Sequence, residues 1–199
     1  SSSLCHRLAV GNPRVFVKNG FKESPDTAVH ILLDSSGSMN DSSIMLANAV
    51  CYAVGKALQV IPGVNLGITA FPGVNAAKRG ATVVPVLRHG EKLTTRFPEI
   101  AYGMTPMAES LWWVMQQMCC LRENRKIILI ITDGEPDSIP AAQEAFKQAQ
   151  KKGFECYGLG IMCSNIATLL PHTSRVIETL PQLAPALFEL LEGAFRRNA

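Results

Sequence analysis

The sequence predicts a doubly wound α/β domain, with a mostly parallel, Rossmann-like sheet, helices on both faces and one antiparallel edge strand. Three observations carry this. Continuous apolar runs of strand length occur at residues 28–33 and 127–131, as suits strands covered on both faces. Segments with apolar residues at helical spacing alternate with such strands. Polar loops follow directly on the apolar runs, where ligands sit in sheets of this kind.

Residues 1–27 read as an N-terminal extension or edge segment. Within it, residues 14–18 have strand character and Asn19-Gly20 is a turn signal. The domain proper runs over 28–199. After the first strand comes a polar loop at 34–43. Ile44, Leu46, Ala47, Val50, Val54, Ala57 and Leu58 then recur at helical spacing, up to the stop Pro62-Gly63. Strands are expected at 65–71 and 82–87. The turn at 73–80 is short enough for a hairpin, so the second of this pair is expected to run antiparallel. Thr105-Pro106 opens a helix to about residue 121, with proline in its first turn and threonine as the expected cap. The apolar strand at 127–131 ends in Thr132-Asp133-Gly134. A helix follows over 139–152, stopped by Gly153. Strands at 154–161 and 174–177 and a helix at 181–195 complete the pattern.

The chain has 199 residues, 47% hydrophobic and 18% charged. That suits one domain with an apolar core and shows no disorder signature. Net charge is +3 and basic residues are scattered apart from Arg196-Arg197, so no nucleic-acid surface is indicated. No apolar run approaches the ~20 residues of a membrane span. The six cysteines form no CxxC pair. Cys51, Cys119 and Cys156 lie inside apolar patterns, so reduced core thiols in a cytoplasmic protein are expected.

The chemistry is expected at Asp34-Ser35-Ser36-Gly37-Ser38, just after the first strand. Asp34, Ser36 and Ser38 present oxygen at alternate positions, and the turn at Gly37 can aim them at one centre. Mg²⁺ takes hard oxygen ligands at ~2.1 Å and keeps several waters. A set without nitrogen or sulfur argues against zinc or copper. Asp133, at another strand end, adds a second carboxylate, and Thr105 adds a hydroxyl. Each piece alone is ordinary turn or cap chemistry. Three of them in order, each at the functional edge of an α/β sheet, are a much stronger signal.

On these residues the chain resembles the von Willebrand factor A (VWA) family with its metal-ion-dependent adhesion site. The motif D-x-S-x-S matches Asp34, Ser36 and Ser38; the later threonine matches Thr105, and the second aspartate matches Asp133. The resemblance covers residues 28–195. It implies that the serines, and often the threonine, touch Mg²⁺ or Mn²⁺, that the aspartates frequently act through water, and that one position is left for a partner's Asp or Glu. The stretches Thr105-Pro106-Met107-Ala108-Glu109-Ser110-Leu111 and Ile131-Thr132-Asp133-Gly134-Glu135-Pro136-Asp137 are similar to the intracellular bacterial branch. That branch includes the cobaltochelatase T subunit and the VWA proteins that accompany MoxR-type AAA+ ATPases. The long acidic region of a cobaltochelatase T subunit is absent from this sequence.

The expected function is therefore a non-catalytic, Mg²⁺-dependent protein-binding module, cytoplasmic, partnered with an AAA+ ATPase subunit. One alternative is an extracellular adhesion domain with the same site. Another is a Mg²⁺-dependent phosphoryl-transfer enzyme, disfavoured because Ser36 stands where a second carboxylate would be wanted. Glu135 and Asp137 read as solvated turn acids or helix-capping groups more readily than as rim ligands. His30 reads as a core histidine. Of the adjacent Trp112 and Trp113, one is expected in the core and the other partly exposed. Gly158-Leu159-Gly160 falls within a strand and lacks the third glycine of a dinucleotide fingerprint.

Overall fold

The computed structural model of the protein describes residues 26–39, 41–73 and 83–183, together with 185–186 and 189–190. The expected strand at 14–18 and nearly all of the turn at 73–80 lie outside these residues.

The elements run β1 (Thr27–Asp34), α1 (Asp41–Gln59), β2 (Val64–Phe71), β3 (Val84–Leu87), α2 (Met107–Cys119) and β4 (Arg125–Thr132). They continue with α3 (Ile139–Lys151), β5 (Phe154–Ile161), α4 (Ile166–Leu169), β6 (Ser174–Ile177) and a 3₁₀ turn (Leu180–Gln182). Residues 183, 185, 186, 189 and 190 are helical; the rest of the expected 181–195 helix is not described. The short α4 was not expected. It is too short to show a periodicity, and it packs the buried Ile166 beside Gly158 of β5.

The six strands lie in the order β3-β2-β1-β4-β5-β6. Every neighbouring pair is parallel except β2 with β3, as the short β2–β3 connection predicts. Pro85 is tolerated in β3 because β3 is an edge strand, where a missing N–H need not break a ladder.

The sheet is a central layer between two cores, because side chains alternate along each strand. Val29, Ile31 and Leu33 of β1 face the core under α1, with Val50, Val54 and Leu58. Ala28 and Leu32 face the core under α2 and α3, with Leu111, Met118 and Phe146. All eight residues of β1 are buried, which is why this strand reads as apolar apart from Thr27, His30 and Asp34. Each fully buried Leu or Ile contributes about 1.5–3 kcal/mol.

The chain leaves β1 toward β2 on one side and returns to β4 on the other. The switch point of the sheet is thus between the carboxyl ends of β1 and β4, where Asp34 and Thr132 stand.

Two expectations need correction. Cys119 is exposed, with Cys120 beside it, while Cys51 and Cys156 are buried. The inward stripe of α2 is Leu111, Val114, Met115 and Met118; one residue beyond Met118 the helix has turned by about 100°, out of the core. The second concerns Thr105. Pro106 holds the cap position of α2 and makes no side-chain cap bond. The tryptophans divide as expected: Trp112 is 39% exposed, and Trp113 packs against the core under α2.

Candidate metal centre

Asp34 ends β1 as a buried carboxylate with both oxygens engaged. Oδ1 accepts from the Ser36 backbone N–H at 2.8 Å, and Oδ2 accepts from Thr132 Oγ1 at 2.5 Å. The first bond is a local turn closed by the residue two positions on. The second crosses from β4, the neighbouring parallel strand.

From Asp34 the loop carries two hydroxyls outward. Ser36 is buried and Ser38 exposed, with their oxygens 3.0 Å apart. Ser38 Oγ donates to Asp133 Oδ1 at 2.8 Å. A serine has one proton to give, so Ser36 is the donor to Ser38. The motif residues Asp34, Ser36 and Ser38 and the distant Asp133 thus form one cluster at the switch point.

Thr105 arrives on the loop before α2. That loop is clamped to the Asp34 loop by the Tyr102 N–H on the Ser35 carbonyl at 2.9 Å, and by the Gly37 N–H on the Gly103 carbonyl at 3.0 Å. It is tied to the Asp133 loop by a reciprocal pair. Asp137 Oδ1 accepts from the Thr105 N–H at 2.7 Å, and the Asp137 N–H donates to the Thr105 carbonyl at 3.0 Å. Asp137 is therefore a positioning residue, not a free turn acid. Its position four residues past Asp133 is visible in the sequence, but its partner 32 residues away is not.

Gly134 leaves open the space between these groups. A Cβ on this residue would stand 2.9 Å from Ser38 Oγ and 3.8 Å from Thr105 Oγ1. The two hydroxyls therefore border one small cradle that any side chain at 134 would fill.

Burial is the main reason that the Asp34 carboxyl is pushed up to about 6. The bonds from Thr132 and Ser36 pull the other way, and Asp133 adds repulsion. Asp133 is raised too, by its partial burial against the bond from Ser38. Among the described residues the ion pairs are Arg125–Glu155 and Arg175–Glu189, and neither reaches this cluster. Two neighbouring carboxylates without a basic partner leave uncompensated negative charge, which a bound cation would offset.

The donors are carboxylate and hydroxyl oxygens alone. No group of three or more His, Cys, Asp or Glu suited to a metal occurs among the described residues. The set therefore fits a hard cation that accepts hydroxyls and keeps water.

Fold and cluster together point to a class: the chain has the fold of von Willebrand factor A domains. Over residues 15–101 its sequence matches the family described as the cobalamin biosynthesis protein CobT VWA domain. Over that stretch the chain is related to the CobT VWA domain. The match takes in Asp34, Ser36 and Ser38 and stops before Thr105 and Asp133. No individually curated protein matches.

Solved structures share the fold at low identity. The manganese-loaded TRAP protein of Plasmodium vivax superposes with a TM-score of 0.62 at 14% identity, over 81% of this chain and 72% of that one. Proximal thread matrix protein 1 of the mussel byssus, with a zinc-occupied MIDAS motif, gives 0.67 at 12%, over 86% and 46%. The ArnB paralog VWA2 of Sulfolobus acidocaldarius gives 0.58 at 16%, over 79% and 43%. This chain thus spans under half of the latter two. No helix among the described residues is long and apolar enough to cross a membrane.

Proposed function

We propose that residues 28–199 form a divalent-cation-dependent protein-interaction module, with residues 1–27 as an N-terminal extension. Asp34, Ser36, Ser38, Thr105 and Asp133 would hold Mg²⁺, with Mn²⁺ as a substitute. The cation would supply a coordination position for an Asp or Glu of a partner protein. The observation that carries this reading is the cluster of two carboxylates and two serine hydroxyls at the sheet's switch point, with no ion-pair partner among the described residues.

The residues divide the work. Ser36, Ser38 and Thr105 offer uncharged oxygens, and Asp34 and Asp133 supply the charge. Thr132 and Asp137 hold two of these groups in place, the first through Asp34 and the second through the Thr105 backbone. Nothing in this set acts as a nucleophile with a base beside it, so the role is to bind. The relation to the CobT VWA domain supports a non-catalytic place in a cytoplasmic chelatase or remodelling assembly, beside an AAA+ ATPase subunit. The free thiols Cys119 and Cys120, adjacent and exposed, agree with a reducing compartment.

The test is capture of a partner from lysate of the native host in Mg²⁺ and in EDTA, with wild type and Asp133→Ala. Release by EDTA and weakening by the variant are expected. Removing one side of a desolvated charged contact typically costs about 2–5 kcal/mol. A partner held equally by the variant and in EDTA would place the interaction surface elsewhere.

A further inference from the structure

We propose that a slot between the β1–β2–β3 edge of the sheet and the end of α2 binds a small planar organic anion, an aromatic or heteroaromatic carboxylate. The slot measures about 310 Å³. That falls at the small end of ligand sites. It is lined by the buried His30 and Thr69, by His89, Trp113 and Leu121, and by the exposed Arg88. His30 lies four residues before Asp34, ~13 Å along the strand, so this site is separate from the carboxylate cluster.

The lining is polar in a way that packing does not require. Ala28 and Leu32, its neighbours on the same face of β1, are apolar, and an apolar side chain at position 30 would serve that core. Instead His30 Nε2 meets Thr69 Oγ1 at 2.9 Å, and His30 Nδ1 meets His89 Nε2 at 3.0 Å. Gly67 makes the room, since a Cβ there would come within 2.5 Å of His89 Nε2 and 2.8 Å of His30 Nδ1. With centroids 5.1 Å apart, the rings meet nitrogen to nitrogen. That suits a shared proton. A metal ion ~2.0–2.1 Å from each nitrogen would need the rings moved apart or turned. The buried His89 Nδ1 has no hydrogen-bond partner in good geometry.

Charge selects the ligand. Burial lowers His30 to about 3, with His89 adding repulsion. Burial also lowers His89, against the opposing pull of the Asn65 backbone and the Glu123 carboxylate. Both imidazoles are thus neutral at physiological pH. Arg88 is the charged residue that lines the slot and makes no ion pair among the described residues, while the Glu123 carboxylate acts on His89 from beyond the lining. The Arg88 backbone N–H occupies Glu91 Oε2 at 3.0 Å. The guanidinium of an exposed arginine that lines the slot can receive a carboxylate in a two-bond fork. Trp113, His30 and His89 line the slot with aromatic rings, which suits a planar body. A cationic ligand would meet Arg88 unfavourably, and a neutral one would leave it unused.

The test is ligand-observed NMR and tryptophan fluorescence on the whole chain. Benzoate, nicotinate and indole-3-acetate are the probes, with benzamide and benzylamine as controls. The carboxylates are expected to bind about tenfold or more tighter than benzamide, a charge-assisted bond of ~1.4 kcal/mol, and benzylamine not at all. Arg88→Gln, at an exposed position, is expected to erase that preference. Leu121→Trp, which fills the slot, is expected to remove binding of every probe. Carboxylates bound no tighter than benzylamine, or binding unchanged in both variants, would overturn the proposal.

Discussion

Strand β1 carries two buried polar centres on the same face, and they resolve the cost of burial in opposite ways. Asp34 ends the strand, where the backbone turns into a loop and can bring an N–H and hydroxyls to the carboxylate. Its neighbour Asp133 is also acidic, so negative charge accumulates there. His30 lies in mid-strand, where its partners come only from side chains fixed by paired strands and the loop after β3. It escapes the cost by remaining neutral. A buried ionisable group at a strand end can be arranged for an incoming cation, whereas one in the middle of a sheet sheds its charge.

The sharpest way to separate the two centres is to remove the serine hydroxyls. In the wild type, Mg²⁺ at a hundredfold excess over Kd is expected to add about 2.7 kcal/mol of stability. Ser36→Ala with Ser38→Ala should abolish that gain in thermal unfolding while the His30 and His89 ring resonances stay in place. An undiminished Mg²⁺ shift in the double variant would refute the site.

The reciprocal test is Gly67→Ala. The added methyl must displace His89 or His30, and overpacking of this kind costs about 1–3 kcal/mol. Urea denaturation should show the loss, with the Mg²⁺ response intact. A variant as stable as wild type would mean that the histidine pair is loosely held.

A smaller effect separates the centres by pH. The Asp34 carboxyl is raised from 3.8 to about 6 in the folded, metal-free protein. Its contribution to stability is full below its unfolded value and is lost as pH rises through about 6. His30, lowered from 6.5 to about 3, has the opposite sign. Its contribution is full above 6.5 and is lost as pH falls toward 3, because the unfolded chain takes up the proton first. Protons and Mg²⁺ compete for Asp34, so Mg²⁺ affinity should fall about tenfold between roughly pH 7 and pH 5, near 1.4 kcal/mol. Calorimetric titration at the two values checks this, and equal affinities would show that Asp34 is not part of the binding set.

How far the sequence reaches can be judged from particular residues. Asp34, Ser36 and Ser38 are legible because a turn of five residues brings them together. The apolar run of β1, the helical stripe of α1 and the short β2–β3 connection are local patterns too, and they led to the right sheet. Thr105 and Asp133 stood out by order and family resemblance, not by any local geometry. Nothing local marks Thr132, although it bonds Asp34 across 98 residues, and the sequence reads Asp137 as a solvated turn acid or a helix-capping group, whereas its carboxylate holds the Thr105 backbone. Cys119 was misplaced because an apolar composition does not say which side of a helix a residue takes.

The sequence by itself determined the alternation of strands and helices, the loop that carries the serines and the burial of His30, since each depends on spacing within one segment. Only the tertiary structure decided which distant groups meet: Thr132 with Asp34, Asp137 with Thr105, and His89 with His30 over the space left by Gly67. The physical reason is that such contacts depend on sheet order and register. These bring together residues 32 to 98 positions apart, and no periodicity within a segment encodes a partner in another.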